Sequence, residues 1–165
     1  MKISNAKYFL AANSAEGFFS EFNSCYNPFD DWYAYIIKGG PGTGKSSFMK
    51  KVLKTAEGKG IAADEVYCTG DPDSLDAVIL PALKIIIMDG TSPHVVDPAL
   101  PGISDEIINF GQFWDKKKLE DRKNEVISAT KRNKALHRSA AKYISAAGKI
   151  AEANLDITDR YTDYK

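Results

Sequence analysis

The segment that most constrains the fold is a glycine-rich octapeptide lying between an apolar run and a segment with helical spacing. It reads Gly-Gly-Pro-Gly-Thr-Gly-Lys-Ser over residues 39–46 and matches the pattern G-x-x-x-x-G-K-[ST]. Residues 32–37 before it are apolar and strand-like, and residues 47–53 after it have helical spacing. A strand, a glycine-rich loop and a helix in this order are the context of a phosphate-binding loop. The octapeptide therefore predicts an α/β fold built around a P-loop, or Walker A motif.

The residue types of this loop suit the phosphates of a nucleoside triphosphate. Glycines adopt backbone angles closed to other residues, so that successive N–H groups converge on one anion, and the following helix adds its positive end. Lys45 is expected to reach the β and γ phosphates, and the Ser46 hydroxyl to ligate Mg²⁺. The predicted cofactor-binding residues are Gly39, Gly40, Pro41, Gly42, Thr43, Gly44, Lys45, Ser46 and Ser47.

A second acid-bearing motif follows 45 residues downstream of the P-loop. Residues 85–88 are four apolar residues, and Asp89 comes directly after them. In P-loop proteins an acid at such a strand end grips a metal-bound water (Walker B). The sequence thus predicts Lys45 and Asp89 as catalytic residues and Ser46 and Asp89 as the metal site. The alternative is that Asp89 merely begins the turn at Gly90.

The residue after Asp89 bears on how water would be activated. ATPases of the AAA+ kind place a glutamate there, whereas this chain has Gly90. The loop of residues 90–98 is therefore expected to sense the γ-phosphate, and its His94 and Asp97 are the right chemical types for a base. A lone histidine in a loop is also common on protein surfaces, so both interpretations of His94 stay open.

Other acids have two interpretations. Asp71 and Asp73 follow the second predicted strand, where they could position Mg²⁺ waters or an acceptor, or form the turn around Pro72. Asp105 and Glu106 are interpreted as acids at a helix N-terminus. The guanine-reading element Asn-Lys-x-Asp is incomplete in residues 133–136, which read Asn-Lys-Ala-Leu. ATP is therefore favoured over GTP.

The first part of the chain predicts a parallel sheet with flanking helices. Besides the first helix, the sequence assigns only three strands to this sheet. A three-stranded open sheet would expose its edges. The sheet is therefore expected to be incomplete, with another chain or a second half of a longer protein completing it. The three strands are residues 33–38, 61–68 and 84–88, and the first helix is residues 44–59; residues 8–10 are a candidate for a further strand and residues 15–25 for a short helix.

The last part of the chain has a different character. Residues 1–115 carry nine Lys and Arg against fifteen Asp and Glu, whereas residues 116–149 carry eleven against three. We expect a nucleotide-binding domain over 1–115 and a basic helical segment over 116–165, formed by one long helix or by a hairpin that breaks near Asn133 or Gly148. The segment could be a lid over the nucleotide, a polyanion site for nucleic acid, or a helix face that packs on a partner. Among its basic residues are Lys116, Lys117, Lys118, Arg122, Lys123, Lys131, Arg132, Lys134, Arg138 and Lys142.

Composition is that of a water-soluble globular chain. Of the 165 residues 44% are hydrophobic and 27% are charged, and no apolar run approaches the roughly 20 residues needed to span a bilayer. The N-terminus has no signal-peptide core, and Cys25 and Cys68 match no metal-ligand spacing. A cytoplasmic location and no membrane partner are expected.

Several stretches resemble a family of bacterial P-loop ATPases of undefined role, found largely in spore-forming and related bacteria. The resemblance covers about residues 8–115 and corresponds to the N-terminal half of a tandem P-loop protein. It implies nucleotide binding without naming a substrate. The matching stretches are residues 8–18, 38–46, 71–76, 88–94 (Met-Asp-Gly-Thr-Ser-Pro-His) and 101–109.

Three functions follow as expectations. The first is a Mg²⁺–ATP-binding P-loop NTPase that hydrolyses ATP, a nucleoside-triphosphate hydrolase. The second is a small-molecule or nucleotide kinase with the helical segment as its lid and Asp71 or Asp73 near the acceptor. The third is a nucleotide-gated binding module with little turnover, whose cationic helices engage a partner.

Overall fold

The computed structural model describes residues 6–162, which form two compact units. Among these residues, the first unit contains those up to Ala12 together with Ser20–Trp114. The second unit contains Asn13–Phe19 together with the residues from Asp115 onward. The fold is mixed α/β, and it ends in a long helix. None of the helices in the described range combines the length and apolar content needed to cross a bilayer.

The first unit is built on a six-stranded sheet. Its strands lie in the order β1, β5, β6, β7, β4, β8. All neighbouring strands are parallel except that β6 runs antiparallel to β5 and to β7. The strands are β1 Lys7–Tyr8, β4 Tyr33–Lys38, β5 Asp64–Tyr67, β6 Leu75–Leu80, β7 Ile85–Asp89 and β8 Asp105–Asn109; a separate two-stranded sheet pairs β2 Ala11–Ser14 with β3 Gly17–Ser20.

The sheet is buried on both faces in its centre. Helix α1, Lys45–Gly58, covers one face through Met49 and Ala56, which pack with Ile37 and Ile87 in one apolar cluster. Alternation along the strands points a second set of residues to the opposite face. That set has no exposed surface and consists of Ala34, Ile36, Ile86 and Met88. Burial on both faces explains why β4 and β7 read as continuous apolar runs.

The pairing register brings the two sequence motifs side by side. Strand β4, which precedes the glycine-rich loop, lies directly between β7 and β8, and Ile37 pairs with Asp89. Because β4 and β7 are parallel, their carboxyl ends meet at the same edge of the sheet. The residues that follow both strands therefore lie at that edge, which is where ligands bind in open α/β sheets.

Several expectations about the elements are wrong. Two strands, β6 and β8, were not predicted, so the sheet has six strands rather than three, and it is not fully parallel. Asp105 and Glu106 begin strand β8 instead of a helix, because the Asp105 carboxylate accepts hydrogen bonds from loop amides of Ala99 and Leu100. The helix expected at residues 15–25 is replaced by strand β3 and a 3₁₀ turn at Phe22–Ser24.

The second unit is dominated by one helix. Helix α2 spans Lys116–Asp121, and α3 spans Lys123–Tyr161 without interruption. The break between them is at Arg122, so the alternative of a hairpin that turns near Asn133 or Gly148 is wrong. Asp115 caps α2 by accepting a hydrogen bond from the Lys118 amide at 3.0 Å, and a lysine-rich first turn follows the cap.

Candidate functional site

The loop between β4 and α1 has the backbone conformation that its glycines permit. Gly42 and Gly44 have φ angles of 76° and 87°, which side-chain-bearing residues adopt only with strain. Gly44 is the residue before the first turn of α1, so the free amides of that turn face the loop. The Thr43 hydroxyl closes the loop by donating to the Gly40 carbonyl at 2.9 Å.

The first two glycines of the motif are needed for a different reason. A Cβ on Gly39 would lie 2.9 Å from Phe110 Cβ, and one on Gly40 would lie 3.1 Å from the Trp114 ring. The turn that follows β8 therefore packs directly against the P-loop. Trp114 lies beside the loop as a half-exposed ring, and sequence reasoning did not select it.

Lys45 folds back over the loop. Its ammonium group donates to the carbonyls of Gly39 and Gly40, at 2.7 and 3.0 Å. The same group lies 3.3 Å from Asp89 Oδ2, and both side chains are only 12% exposed. The cation of the P-loop and the acid of the neighbouring strand therefore form one ion pair, with the cation at the mouth of the loop.

Asp89 also shapes the turn that follows it. Its Oδ1 accepts hydrogen bonds from the Thr91 amide, at 2.8 Å, and from the Thr91 hydroxyl. Asp89 therefore begins a turn, as the alternative interpretation has it, and it also faces Lys45; its metal-binding role stays a prediction. Its two carboxylate oxygens are divided between these tasks.

The two serines of the motif have different surroundings. The Ser46 hydroxyl oxygen accepts a hydrogen bond from the Leu75 amide, at 3.0 Å, at the start of β6. A hydroxyl oxygen has two lone pairs, so one remains for a metal ion. Ser47 is exposed, whereas Ser46 is half-buried, and neither serine is among the described residues that line the cavity bordered by the glycine-rich loop.

A buried pair that the sequence did not suggest lies beside Asp89. His94 Nε2 is 3.1 Å from Asp76 Oδ2, and His94 Nδ1 is 3.0 Å from the Asp89 carbonyl oxygen. Phe22 stacks on the imidazole with ring centroids 4.6 Å apart. Asp76, His94 and Phe22 are all buried. His94 is thus an internal residue of the site and not a surface histidine.

Both ring nitrogens of His94 face hydrogen-bond acceptors. The Asp89 carbonyl oxygen only accepts, so Nδ1 donates to it, and Nε2 faces the Asp76 carboxylate. Burial opposes the charge, but the hydrogen bond and charge of Asp76, aided by Asp89, outweigh it and raise the pKa of His94. Both nitrogens of the imidazole are thus engaged by these two partners.

The loop after β7 is anchored by a lysine that precedes the P-loop. Lys38 Nζ donates to the carbonyls of Gly90 and Val96, at 2.8 and 2.6 Å, and to Asp97 Oδ1 at 2.8 Å. Asp97 is mostly exposed and lies outside the cavity lining, so its described partner is Lys38. Lys38, the residue before Gly39, therefore holds the loop of residues 90–98, which is the loop expected to sense the γ-phosphate.

Gly90 has no room for a side chain. A Cβ there would lie 2.4 Å from Ile36 Cγ2 and 2.9 Å from the Val96 carbonyl oxygen. Contacts under 3.0 Å require backbone or core atoms to shift. The glutamate that AAA+ enzymes carry at this position is therefore excluded sterically.

Asp71 and Asp73 belong to a surface turn. Asp71 accepts hydrogen bonds from the Asp73 amide at 3.3 Å and from the Ser74 hydroxyl at 2.6 Å. Both aspartates are exposed, and neither is among the described residues that line the cavity. These contacts are those of turn formers.

The P-loop and the Asp89 turn border a common cavity of about 470 Å³. Lys45 and Asp89 line it together with Cys68 and Asp76. Burial raises the pKa of the Cys68 thiol, and the charge of Asp76 adds to that effect, so the thiol is protonated near neutral pH. The lining residues are Gly39, Gly40, Pro41, Lys45, Cys68, Asp76, Asp89, Thr91, Ser92, Pro93, His94 and Trp114.

The site suits a hard cation that brings its own ligands. In residues 6–162, no three His, Cys, Asp or Glu side chains converge as a preformed metal cage. Mg²⁺ normally binds with one or two protein oxygens and completes its shell with water and phosphate oxygens. The Ser46 hydroxyl and the Asp89 carboxylate are oxygen donors of that kind.

Comparisons with known protein families, with curated proteins and with solved structures give no match to this chain.

Proposed function

We propose that the chain binds Mg²⁺–ATP at the P-loop and hydrolyses it slowly. The observation that carries this proposal is the position of the Lys45 ammonium, which bridges the Gly39 and Gly40 carbonyls and faces Asp89. A cation at that point lies where the phosphates of a P-loop nucleotide are bound. The left-handed glycines and the first turn of α1 supply amide donors for the same anion.

Each residue has a separate task in this proposal. Lys45 exchanges its loop carbonyls for the β and γ phosphates, and the loop amides hold the phosphate chain. Ser46 and Asp89 hold Mg²⁺, directly or through water, and the ion neutralises charge that develops on the phosphates. Thr91 keeps the Asp89 carboxylate oriented toward Lys45 through its two hydrogen bonds.

Slow turnover follows from the surroundings of the reacting water. Gly90 supplies no acid and a side chain there would force Ile36 and the Val96 peptide to shift, while both nitrogens of His94 are engaged by Asp76 and the Asp89 carbonyl. A missing general base costs roughly 10²- to 10⁴-fold in rate. His94 therefore acts as a positioning residue that holds the Asp89 main chain, and not as the base that the sequence allowed.

Isothermal calorimetry with ATP, ADP and GTP in the presence of Mg²⁺ tests the proposal. Lys45→Ala is expected to weaken ATP binding by 100-fold or more, on the order of the 3 kcal/mol of a lost charged contact. Lys54→Ala, an exposed lysine on the same helix, is the matched control and keeps wild-type affinity. Equal affinities in wild type and Lys45→Ala would overturn the assignment.

A second arm separates binding from turnover. Asp89→Asn removes the carboxylate charge while keeping the acceptor oxygen for Thr91, so ATP still binds, whereas Mg²⁺-dependent phosphate release falls by at least tenfold. Equal phosphate release by Asp89→Asn and wild type would show that Asp89 does not orient the metal. Stronger binding of GTP than ATP would contradict the choice of nucleotide.

One feature favours phosphoryl transfer as a second candidate function. The cavity is lined by Cys68, Asp76 and Pro93 as well as by the P-loop residues and Asp89, so it offers space beside the proposed phosphate site. An acceptor in that space would face the γ-phosphate. Phosphate release without any acceptor supports the hydrolase, whereas ATP consumption only after a metabolite mixture is added supports the kinase.

A further inference from the structure

Helix α3 presents an apolar stripe that nothing in the described structure covers. None of its 39 residues is buried, although it carries many large apolar side chains. Leu136, Tyr143 and Ile150 are 58, 78 and 65% exposed, and Ile157 and Tyr161 are also exposed. These five residues belong to one face, because they are separated by seven or by four positions.

The stripe follows a heptad repeat through five heptads. Spacings of three and four residues alternate without interruption from Val126 to Tyr161, which is the pattern of a coiled-coil seam. We name this set the seam. Its a positions are Val126, Asn133, Ala140, Ala147, Asn154 and Tyr161, and its d positions are Ala129, Leu136, Tyr143, Ile150 and Ile157.

The charges of the helix avoid the seam. Among the basic residues from Lys131 to Lys149, Arg132 alone flanks the seam, at a g position, and the others take the outer b, c and f positions. The e positions hold no Lys, Arg, Asp or Glu: they are Thr130, His137, Ile144, Ala151 and Thr158. Two identical helices can therefore approach along the seam without bringing rows of like charges together.

The small hairpin of the same unit lies on another side of the helix. Ala15 Cβ is 3.7 Å from the position that a Cβ on Gly148 would take. Gly148 is a b position, and the half-buried Ala141 and Ser145 lie on the same side. The hairpin therefore leaves the seam residues exposed.

We propose that the seam pairs with a second copy of this chain as a parallel, in-register coiled coil. The two asparagines decide between the possible pairings. In parallel register Asn133 faces Asn133 of the second copy, and Asn154 faces Asn154, so each amide finds an amide partner. In the antiparallel pairing that matches a with d positions, Asn133 would face Ile150 and Asn154 would face Ala129, which would leave both amides without a partner.

The seam is long enough for a stable interface. From Val126 to Tyr161 it spans about 50 Å at 1.5 Å per residue. That length accommodates a contact of standard size, about 1,600 Å². Asn at an a position lowers stability but fixes register and favours two strands, which fits a specific dimer rather than a larger bundle. This proposal is independent of nucleotide binding.

Sedimentation equilibrium of the full chain tests the pairing. The wild type is expected to have twice the mass of one chain at micromolar concentration, and Ile150→Lys, at a d position, is expected to be monomeric. Leu155→Lys is the matched control, because Leu155 is also 65% exposed but lies at a b position outside the seam. Tryptophan fluorescence, which reports on the sheet unit because Trp32 and Trp114 both lie in it, establishes that this unit of each variant is folded. A monomeric wild type, or equal masses for the two variants, would overturn the proposal.

Disulfide formation tests the orientation. Ala147→Cys faces itself in the parallel register and is expected to give a covalent dimer on mild oxidation. Lys149→Cys, at an outer c position, is expected to give none, and the wild type controls for Cys25 and Cys68. A dimer in which Ala147→Cys does not cross-link would reject the parallel arrangement.

Discussion

At the scale of single residues, Gly90 shows how packing restricts the chemistry of a site. Its Cα is enclosed by Ile36 from β4 and by the Val96 carbonyl of the loop that Lys38 holds. A side chain there must displace either a core residue of the P-loop strand or the loop itself. Packing therefore constrains Gly90, the position at which AAA+ ATPases carry the glutamate that activates water.

Gly90→Ala is expected to destabilise the fold by about 1–3 kcal/mol, the usual cost of forcing a methyl group into a packed interior. Urea unfolding monitored by tryptophan fluorescence measures the change. Gly58→Ala is the control, because nothing lies within 4 Å of its Cβ position and it closes helix α1. It should be neutral or stabilising by up to about 1 kcal/mol. Equal effects at the two positions would refute the steric argument.

The site residues differ in how well the sequence predicted them. Lys45 and Asp89 were selected from their sequence motifs, and Lys45 Nζ lies 3.3 Å from Asp89 Oδ2. Asp76 was missed as a site residue, although an acid within the apolar run Leu-Asp-Ala-Val-Ile-Leu was a signal that it has a partner. Its partner, His94, is distant in sequence, and no periodicity connects the two residues.

At the scale of elements, the direction of β6 explains why Asp76 could not be assigned. In a parallel strand the residues near the carboxyl end reach the ligand edge, so sequence reasoning looked at strand ends. Strand β6 runs the other way between β5 and β7. Its first residues therefore lie at that edge, and Asp76 is the second residue of the strand. Strand direction depends on long-range pairing, which local patterns do not encode.

Strand β8 owes its position to a buried carboxylate. Asp105 accepts hydrogen bonds from the amides of Ala99 and Leu100, at 2.9 and 2.6 Å, from the Ser104 hydroxyl and from Tyr26 Oη at 2.6 Å. Burial alone would raise the pKa of Asp105, but these donors outweigh burial and lower it. Folding therefore favours the ionised form of the Asp105 carboxyl group.

Asp105→Asn is expected to cost about 2–3 kcal/mol at pH 7, as for hydrogen bonds to a charged group. Because the pKa is lowered on folding, this stabilisation is complete above the unfolded value of about 3.9 and is lost as the pH falls through the folded value. Urea unfolding at pH 7 and at pH 3 should therefore show a difference between wild type and variant that shrinks in acid. A difference that is constant or grows in acid would contradict the role given to this carboxylate.

At the scale of the whole molecule, the two units should respond differently to nucleotide. Both tryptophans, Trp32 and Trp114, belong to the sheet unit, whereas α3 belongs to the other. With Mg²⁺–ATP at 100 times its Kd, the sheet unit should gain about 2.7 kcal/mol. For a unit of this size its tryptophan-monitored Tm should rise by about 10–15 °C.

Thermal melts recorded by tryptophan fluorescence and by circular dichroism at 222 nm check this expectation. Lys45→Ala with ATP, and wild type with Mg²⁺ alone, are the controls and should show no rise. Helix α3 contributes to the circular dichroism signal at 222 nm. Any transition at 222 nm that does not coincide with the tryptophan transition should have the same midpoint temperature with and without ATP. An unchanged tryptophan-monitored Tm in wild type would contradict nucleotide binding.

The general architecture was predictable because its signals are local. The P-loop strand, the glycine loop, helix α1 and the acid at the end of β7 all follow from runs of fewer than twenty residues. The mixed α/β class and the long C-terminal helix are confirmed on that basis. Strand β8 was mistaken for a helix start because acids suit both contexts, and only the contacts of Asp105 distinguish them.

The tight enclosure of Gly90 also limits how this protein can evolve. An acidic side chain in place of glycine at this position takes one amino-acid exchange, but the Ile36 methyl group and the Val96 peptide must shift at the same time. That exchange would therefore lose stability in the same step that supplied a proton acceptor. An acid contributed by another segment would avoid this loss.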